Sequence, residues 1–205
     1  MSPKHHVIYV PGLDDSRKGY ELFINKWRFY GIVPHVHRVG WNDGEKSFEP
    51  KLKKLVSGIN SLIKKGHIVS LVGGSAGGSA VLNAFTQQPK INAVVNVCGR
   101  LRAGKNVRPS LEWAARNSPA FKESVLLFEK REPMMKKEQR GRILTLSPIW
   151  DEIVPRTTIS LNGATNKTLP SIEHILSGFL GLTVFSPIVI GFVKEKARLN
   201  DIIVS

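Results

Sequence analysis

Over the first hundred residues, short apolar runs rich in β-branched side chains alternate with longer stretches whose apolar positions recur every three to four residues. That alternation predicts a parallel sheet with strands joined by crossover helices. Residues 6–10 read as the first strand, closed by Pro11 and Gly12. Residues 20–30 carry Leu22, Phe23, Trp27 and Tyr30 at helical spacing, with Gly31 as the stop. A second strand is expected over 33–39, and a second helix over 48–65. That helix sets Leu52, Leu55, Val56, Ile59, Leu62 and Ile63 on one face and ends at Gly66. The third strand, 67–72, is nearly all apolar, as a strand covered on both faces requires. A glycine-rich corner, a small-residue helix over 76–88 and a fourth strand over 91–98 follow.

The rhythm then pauses. Residues 100–141 read as helical and basic, with breaks expected at Pro119 and Pro133, and as a cap-like insertion over one edge of the sheet. The strand pattern resumes over 142–146, a helix is expected over 153–161, and a short strand over 165–169. The run 175–193 has no charged residue, which raises a membrane span. Gly178, Gly181 and the helix-start pair Ser186-Pro187 punctuate it, so a loop followed by a short buried helix over 187–198 fits better. The expected fold class is α/β: one domain over 1–205, a mostly parallel sheet flanked by helices in three layers.

Composition narrows the picture. At 205 residues, with 41% hydrophobic and 22% charged residues, the chain can bury a single core. Its one cysteine, Cys98, allows no internal disulfide and no thiolate zinc cluster. No secretory signal pattern opens the chain, so a cytoplasmic protein is expected. The net charge of +14 is unusual, and residues 100–142 hold about half of it, with twelve Lys or Arg against five Glu. Such a surface attracts anions, so weak binding to anionic surfaces is expected. Basic and aromatic residues do not interleave in any nucleic-acid motif, and no specific nucleic-acid partner is expected.

The candidate chemistry lies in the glycine-rich corner. Gly73-Gly74-Ser75-Ala76-Gly77 satisfies G-x-S-x-G between an apolar strand and a small-residue helix. A nucleophile held there needs a strained backbone, and the near-absence of side chains at Gly73 and Gly77 makes room for one. The hydroxyl then stands at a helix N-terminus, where free N–H groups favour an oxyanion. The same glycines fit neither a phosphate-binding loop, which needs Gly-Lys-Ser/Thr, nor a G-x-G-x-x-G dinucleotide fingerprint. Ser79 is a second candidate, with Val81 crowding its turn.

A serine needs a base, and the base needs an orienting carboxylate. In an α/β sheet both belong in loops at the carboxyl ends of later strands. Asp151 follows the strand over 142–146, and His174 is the only histidine after His67. Asp14, Asp15 and Glu152 are less well placed alternatives to Asp151. For the oxyanion, Ala76 follows the nucleophile, and the loop after the first strand offers the amide of Leu13 beside Gly12. His35 and His37 alternate on one strand without a third metal ligand and read as structural. His5 and His6 are expected at a frayable terminus, His67 at the opening of a buried strand, and Cys98 as a packed small hydrophobe.

In the order Ser75, Asp151, His174 the chain resembles a small α/β-hydrolase over nearly its whole length. Asp151-Glu152-Ile153-Val154-Pro155 is similar to the D-x-x-V-P of that family's acid loop, and Ser186-Pro187-Ile188-Val189 to the start of its last helix. The chain departs from the family in beginning at the equivalent of its third strand. It also has Pro11-Gly12 where many members have His-Gly, and Glu173 where glycine is common before the histidine. The resemblance implies hydrolysis of a small-molecule carboxylic ester, less often a thioester or amide, through an acyl-enzyme on Ser75, with no metal or organic cofactor. Two other functions stay open: an inactive scaffold binding an anionic partner, and a membrane-docking lipase or thioesterase.

Overall fold

The computed structural model describes residues 2–204, apart from the side chains of Ile175, Leu176, Phe179 and those from Asn200 onward. Among the described residues six strands and eight α-helices follow one another. They are β1 (His5–Val10), α1 (Tyr20–Asn25), β2 (Ile32–Val36), α2 (Glu49–Lys64), β3 (Ile68–Gly74), α3 (Gly77–Gln87), β4 (Val94–Val97), α4 (Leu111–Ala114), α5 (Pro119–Arg131), α6 (Lys137–Arg140), β5 (Ile143–Trp150), β6 (Thr165–Ile172), α7 (His174–Leu182) and α8 (Ser186–Val204). All strands are parallel, in the order β2-β1-β3-β4-β5-β6.

Strand alternation divides the core into two layers of packing. Ile8 and Val10 of β1, with Val69 and Leu71 of β3, point to one face, where Leu52, Leu55 and Ile59 of α2, Phe85 of α3 and Phe128 of α5 cover them. Val7 and Tyr9, with Val72, Leu144 and Leu146, point to the other, against Ile24 of α1, Trp27, and Val189 and Val193 of α8. Both faces of the central strands are therefore covered, and the apolar β3 sequence follows from its central place. Connections leave β1 and β3 in opposite directions, toward β2 on one side and β4 on the other. This is the switch point at which open α/β sheets form a crevice beyond the carboxyl ends of the strands.

Local expectations met the structure unevenly. The expected helix over 20–30 is α1 followed by a tighter 3-10 turn, Lys26–Tyr30, which ends at Gly31 with φ 75°. Pro119 does not break a helix. It begins α5, and the hydroxyl of Ser118 accepts from the Phe121 amide. Residues 100–141 connect β4 to β5, with α5 against α3 through Ser79 Oγ and Ser124 Oγ at 2.7 Å.

Residues 153–161 are not a helix. Asp151 Oδ1 accepts from the amides of Ile153 and Val154 at 2.9 and 2.7 Å, winding the chain into a turn, and only Arg156–Thr158 forms a 3-10 turn. The segment after His174 is helix α7 where a loop was expected. Its Gly181 answers to packing, since a Cβ there would lie 2.7 Å from Val97 Cγ1. Among the described residues no helix is long and apolar enough to cross a membrane; part of the run 175–193 lies outside the described side chains.

Candidate active site

β3 delivers Ser75 into a corner with φ 51°, a left-handed conformation costly for any residue with a Cβ. Neighbouring glycines make that corner possible. A Cβ on Gly73 would strike the Gly77 backbone, and one on Gly77 the Val10 carbonyl. The corner is also tied down. The Ser75 amide donates to Val97 O of β4 at 2.9 Å, and the Gly78 amide donates back to Ser75 O at 2.9 Å. Ala76 then opens α3, where first-turn N–H groups have no intrahelical acceptor.

Asp151 leaves the end of β5 and His174 opens α7, just past β6. Together they meet Ser75. His174 Nδ1 lies 2.8 Å from Asp151 Oδ2, and His174 Nε2 lies 2.8 Å from Ser75 Oγ. The Asp151 and His174 side chains are almost entirely buried, while Ser75 is partly open to solvent. The carboxylate is held from both sides: Oδ1 takes the two amides of its own turn and Oδ2 faces the imidazole. Glu152 has a separate task, accepting from the His174 backbone amide through both oxygens at 3.2 and 3.1 Å, at the start of α7. Of the alternative acids, Asp15 accepts from the Gly40 amide, and Asp14 pairs with Arg17 on the surface.

The loop after β1 closes over the hydroxyl. A Cβ on Gly12 would meet Ser75 Cβ at 3.0 Å and Oγ at 3.4 Å, so glycine is required for this approach. Leu13 lines the cleft next to it. A brace that sequence reading missed fixes this loop. Trp41 Nε1 donates to Pro11 O at 3.2 Å, Asn42 Nδ2 to Leu13 O at 3.0 Å, and the Gly40 amide to Asp15 at 2.6 Å. Lys51, buried on α2, anchors the brace through Gly40 O at 2.6 Å and Asp43 at 2.5 Å. That ammonium holds the Asp43 carboxyl below its usual range.

The cleft above Ser75 has a volume of about 310 Å³. Tyr9, Tyr20, Phe23 and Leu182 give it aromatic and aliphatic walls, with Asp14, Arg17 and Lys18 among the lining residues of the β1–α1 loop. Trp27 Nε1 donates to Leu182 O at 3.1 Å, which pins the end of α7. No residue of 100–141 lines this cleft.

No family model matches the chain, and no curated protein compared with it does. Solved structures do match. One of the metagenome-derived lipolytic enzymes LipS and LipT is 13% identical, with TM-score 0.64 and 95% of each chain covered. The monoacylglycerol lipase of Paleococcus ferrophilus is 16% identical, with TM-score 0.61 and 93% and 94% covered. Est1E from Butyrivibrio proteoclasticus is 12% identical, with TM-score 0.62 and 97% and 90% covered. At such identity the likeness is one of architecture. The chain has the α/β-hydrolase fold.

Within this α/β-hydrolase fold, strain collects around the cleft. Four described residues other than glycine have positive φ, and three of them, Ser75, Cys98 and Glu173, border the cleft or adjoin His174. Glu173, at φ 80°, occupies a backbone conformation that suits glycine. Cys98 is fully buried, and burial pushes its thiol up, away from the reactive thiolate. Ser79 is buried and bonds Ala76 O at 3.1 Å as well as Ser124, so its hydroxyl is committed to packing α3.

The other histidines stand apart from this site. His5 and His6 are ordered in β1, contrary to the frayed terminus expected. His5 Nε2 lies 2.9 Å from Ser70 Oγ, and His6 Nδ1 lies 2.8 Å from His35 Nε2. His6 also stacks on His67. Among the described residues no group of three or more His, Cys, Asp and Glu is placed to hold a metal ion.

Proposed function

We propose that the protein is a serine hydrolase that cleaves carboxylic esters, in the manner of a carboxylesterase, with Ser75 as nucleophile, His174 as general base and Asp151 as the orienting acid. One observation carries the reading: a single imidazole has Nδ1 2.8 Å from a buried carboxylate and Nε2 2.8 Å from a partly exposed hydroxyl. With Asp151 accepting from Nδ1–H, Nε2 is left as the acceptor of the Ser75 proton.

Ser75 Oγ attacks the ester carbonyl carbon as its proton passes to Nε2. The carbonyl oxygen becomes an oxyanion facing the amides of Ala76 and Leu13, each worth about 10²–10³ in rate where such donors have been removed from serine hydrolases. As the intermediate collapses, the C–O bond to the leaving group breaks and His174 returns the proton to the departing alcohol. Water then enters and gives a proton to His174 as it adds to the acyl carbon. The second intermediate collapses by breaking the C–O bond to Ser75, whose Oγ takes the proton back from His174 as the carboxylic acid leaves. The apolar walls of the cleft suit an uncharged acyl or alkoxy group of modest size. The substrate class is therefore a small-molecule ester.

Turnover of p-nitrophenyl esters of increasing acyl length tests the reading. Wild-type protein is expected to release nitrophenolate, with the rate falling as the acyl chain outgrows the cleft. Ser75→Ala is expected to lose at least about 10³-fold in kcat. A Ser75→Ala protein as fast as the wild type rejects the assignment.

A further inference from the structure

Among the described residues, one hydroxyl in the wall of the cleft makes no hydrogen bond. It belongs to Tyr9, the penultimate residue of β1, whose side chain lies on the face covered by α1 and Trp27. The ring centroid lies 5.6 Å from that of Tyr20 and 6.5 Å from that of Trp27, which it meets edge-on, so the phenol is fixed at 4% exposure. A tyrosine buried to that degree ordinarily finds a partner. The described side-chain atoms that are both sealed from solvent and unpaired are His6 Nε2 and His37 Nε2, so the Tyr9 oxygen opens on the cleft instead. Gly74 makes room for it beside the nucleophile: a Cβ there would stand 2.6 Å from Tyr9 Oη and 3.3 Å from the ring.

The other polar groups of these walls are engaged or exposed. Tyr20 Oη donates to Asp14 O at 3.3 Å, Asp14 pairs with Arg17 at 3.4 Å, and Asp14, Arg17 and Lys18 all reach solvent. The Cys98 thiol is fully buried and a weak donor. Burial raises the Tyr9 phenol well above its ordinary value, so at neutral pH it keeps its proton and donates. His174 Nε2 must return its proton to the leaving oxygen, which sets the leaving group beside the start of α7 and gives the acyl chain the end of the cleft between β1 and α1. There an alkyl chain would expel water from the phenol and offer nothing in exchange, whereas a chain with an oxygen at that depth would accept its hydrogen bond.

We propose that the Tyr9 hydroxyl selects esters whose acyl chain carries an uncharged oxygen acceptor at the second or third atom beyond the ester carbonyl carbon, over esters of plain alkyl acids. The short reach follows from Gly74, which seats the phenol next to Ser75. This selection rests on the function proposed above and names its substrate class.

Paired p-nitrophenyl esters that differ by one methylene replaced with oxygen test it: methoxyacetate against butanoate, and 3-methoxypropionate against pentanoate. Each kcat/KM is divided by the rate of that ester with hydroxide, which removes the oxygen's intrinsic effect on reactivity. The wild type is expected to favour the ether in at least one pair by about tenfold. Tyr9→Phe is expected to bring that ratio near one by slowing the ether ester, at an unchanged melting temperature. Tyr20→Phe, which removes the other hydroxyl of the walls, is expected to keep the ratio. A wild-type ratio near one in both pairs, an equal loss on both members of a pair in Tyr9→Phe, or a ratio lost in Tyr20→Phe but kept in Tyr9→Phe would each overturn the selection while turnover itself stands. No turnover of any of these esters would instead overturn the serine-hydrolase reading, and the selection with it.

Discussion

Histidines meet close partners at two ends of the same sheet, with opposite chemical consequences. At the carboxyl end, His174 lies between a carboxylate and a hydroxyl, beside a strained serine and an apolar cleft. At the amino end, His6 lies against His35 and His67, while His5 meets Ser70. Among the described residues no carboxylate acts on His5 or His6. Burial and then neighbouring imidazoles and Lys194 or Lys4 push His5 and His6 down to about 4. An imidazole becomes a candidate base through what holds its second nitrogen. Without an acid, close contact between rings serves packing and favours the neutral form.

The largest effect that could break this contrast is expected at the carboxyl end. Asp151→Asn leaves the shape intact but favours the wrong imidazole tautomer, and kcat is expected to fall about 10⁴-fold with little change in melting temperature. His6→Phe, by contrast, is expected to leave kcat within a few-fold of wild type. Next comes the corner itself. Gly77→Ala sets a Cβ against the Val10 carbonyl, and the variant is expected to lose about 3 kcal/mol of stability in denaturant titration along with most of its ester turnover.

The amino end should show itself in stability against pH. His5 and His6 take up protons below about 6.5 in the unfolded chain but only near 4 in the fold, so the unfolded state binds more protons between those values. Stability is therefore expected to fall as pH drops from about 6.5 toward 4, and His6→Phe should flatten a plot of melting temperature against pH in that window. The smallest effect is expected for Trp41→Phe. It keeps a ring against Phe48 and Phe121 but removes the hydrogen bond to Pro11 O, at about 1 kcal/mol, and is expected to lower kcat more than it raises KM by loosening the Leu13 loop.

What could be read from the sequence follows from the range of the forces involved. The strand and helix alternation was legible because each element carries its own period. The strained corner at Ser75 was legible because a residue held at φ 51° demands adjacent glycines, and the neighbouring imidazole of His174 because few histidines exist to choose among. The brace from Lys51 through Trp41 and Asn42 to the β1 loop was not legible. Its hydrogen bonds join residues up to 30 positions apart, and an indole or amide donor has no local signature. Near Asp151 the apolar pattern suggested a helix over 153–161, and the carboxylate does accept the two amides that would open one, but Pro155 steers Val154 away from helical geometry and only Arg156–Thr158 closes, as a 3-10 turn. Gly178 and Gly181 suggested a loop for the same kind of reason. A glycine looks alike in sequence whether it frees the backbone or lets two elements approach, and Gly181 does the second against Val97.

The most direct test of the convergence of residues 75, 151 and 174 is the position of a fluorophosphonate adduct by mass spectrometry. The account predicts a single adduct on Ser75 in the folded wild type, lost on unfolding and slowed severely in His174→Ala. An adduct on Ser79 or another serine, or equal labelling of Ser75 with and without His174, would contradict it.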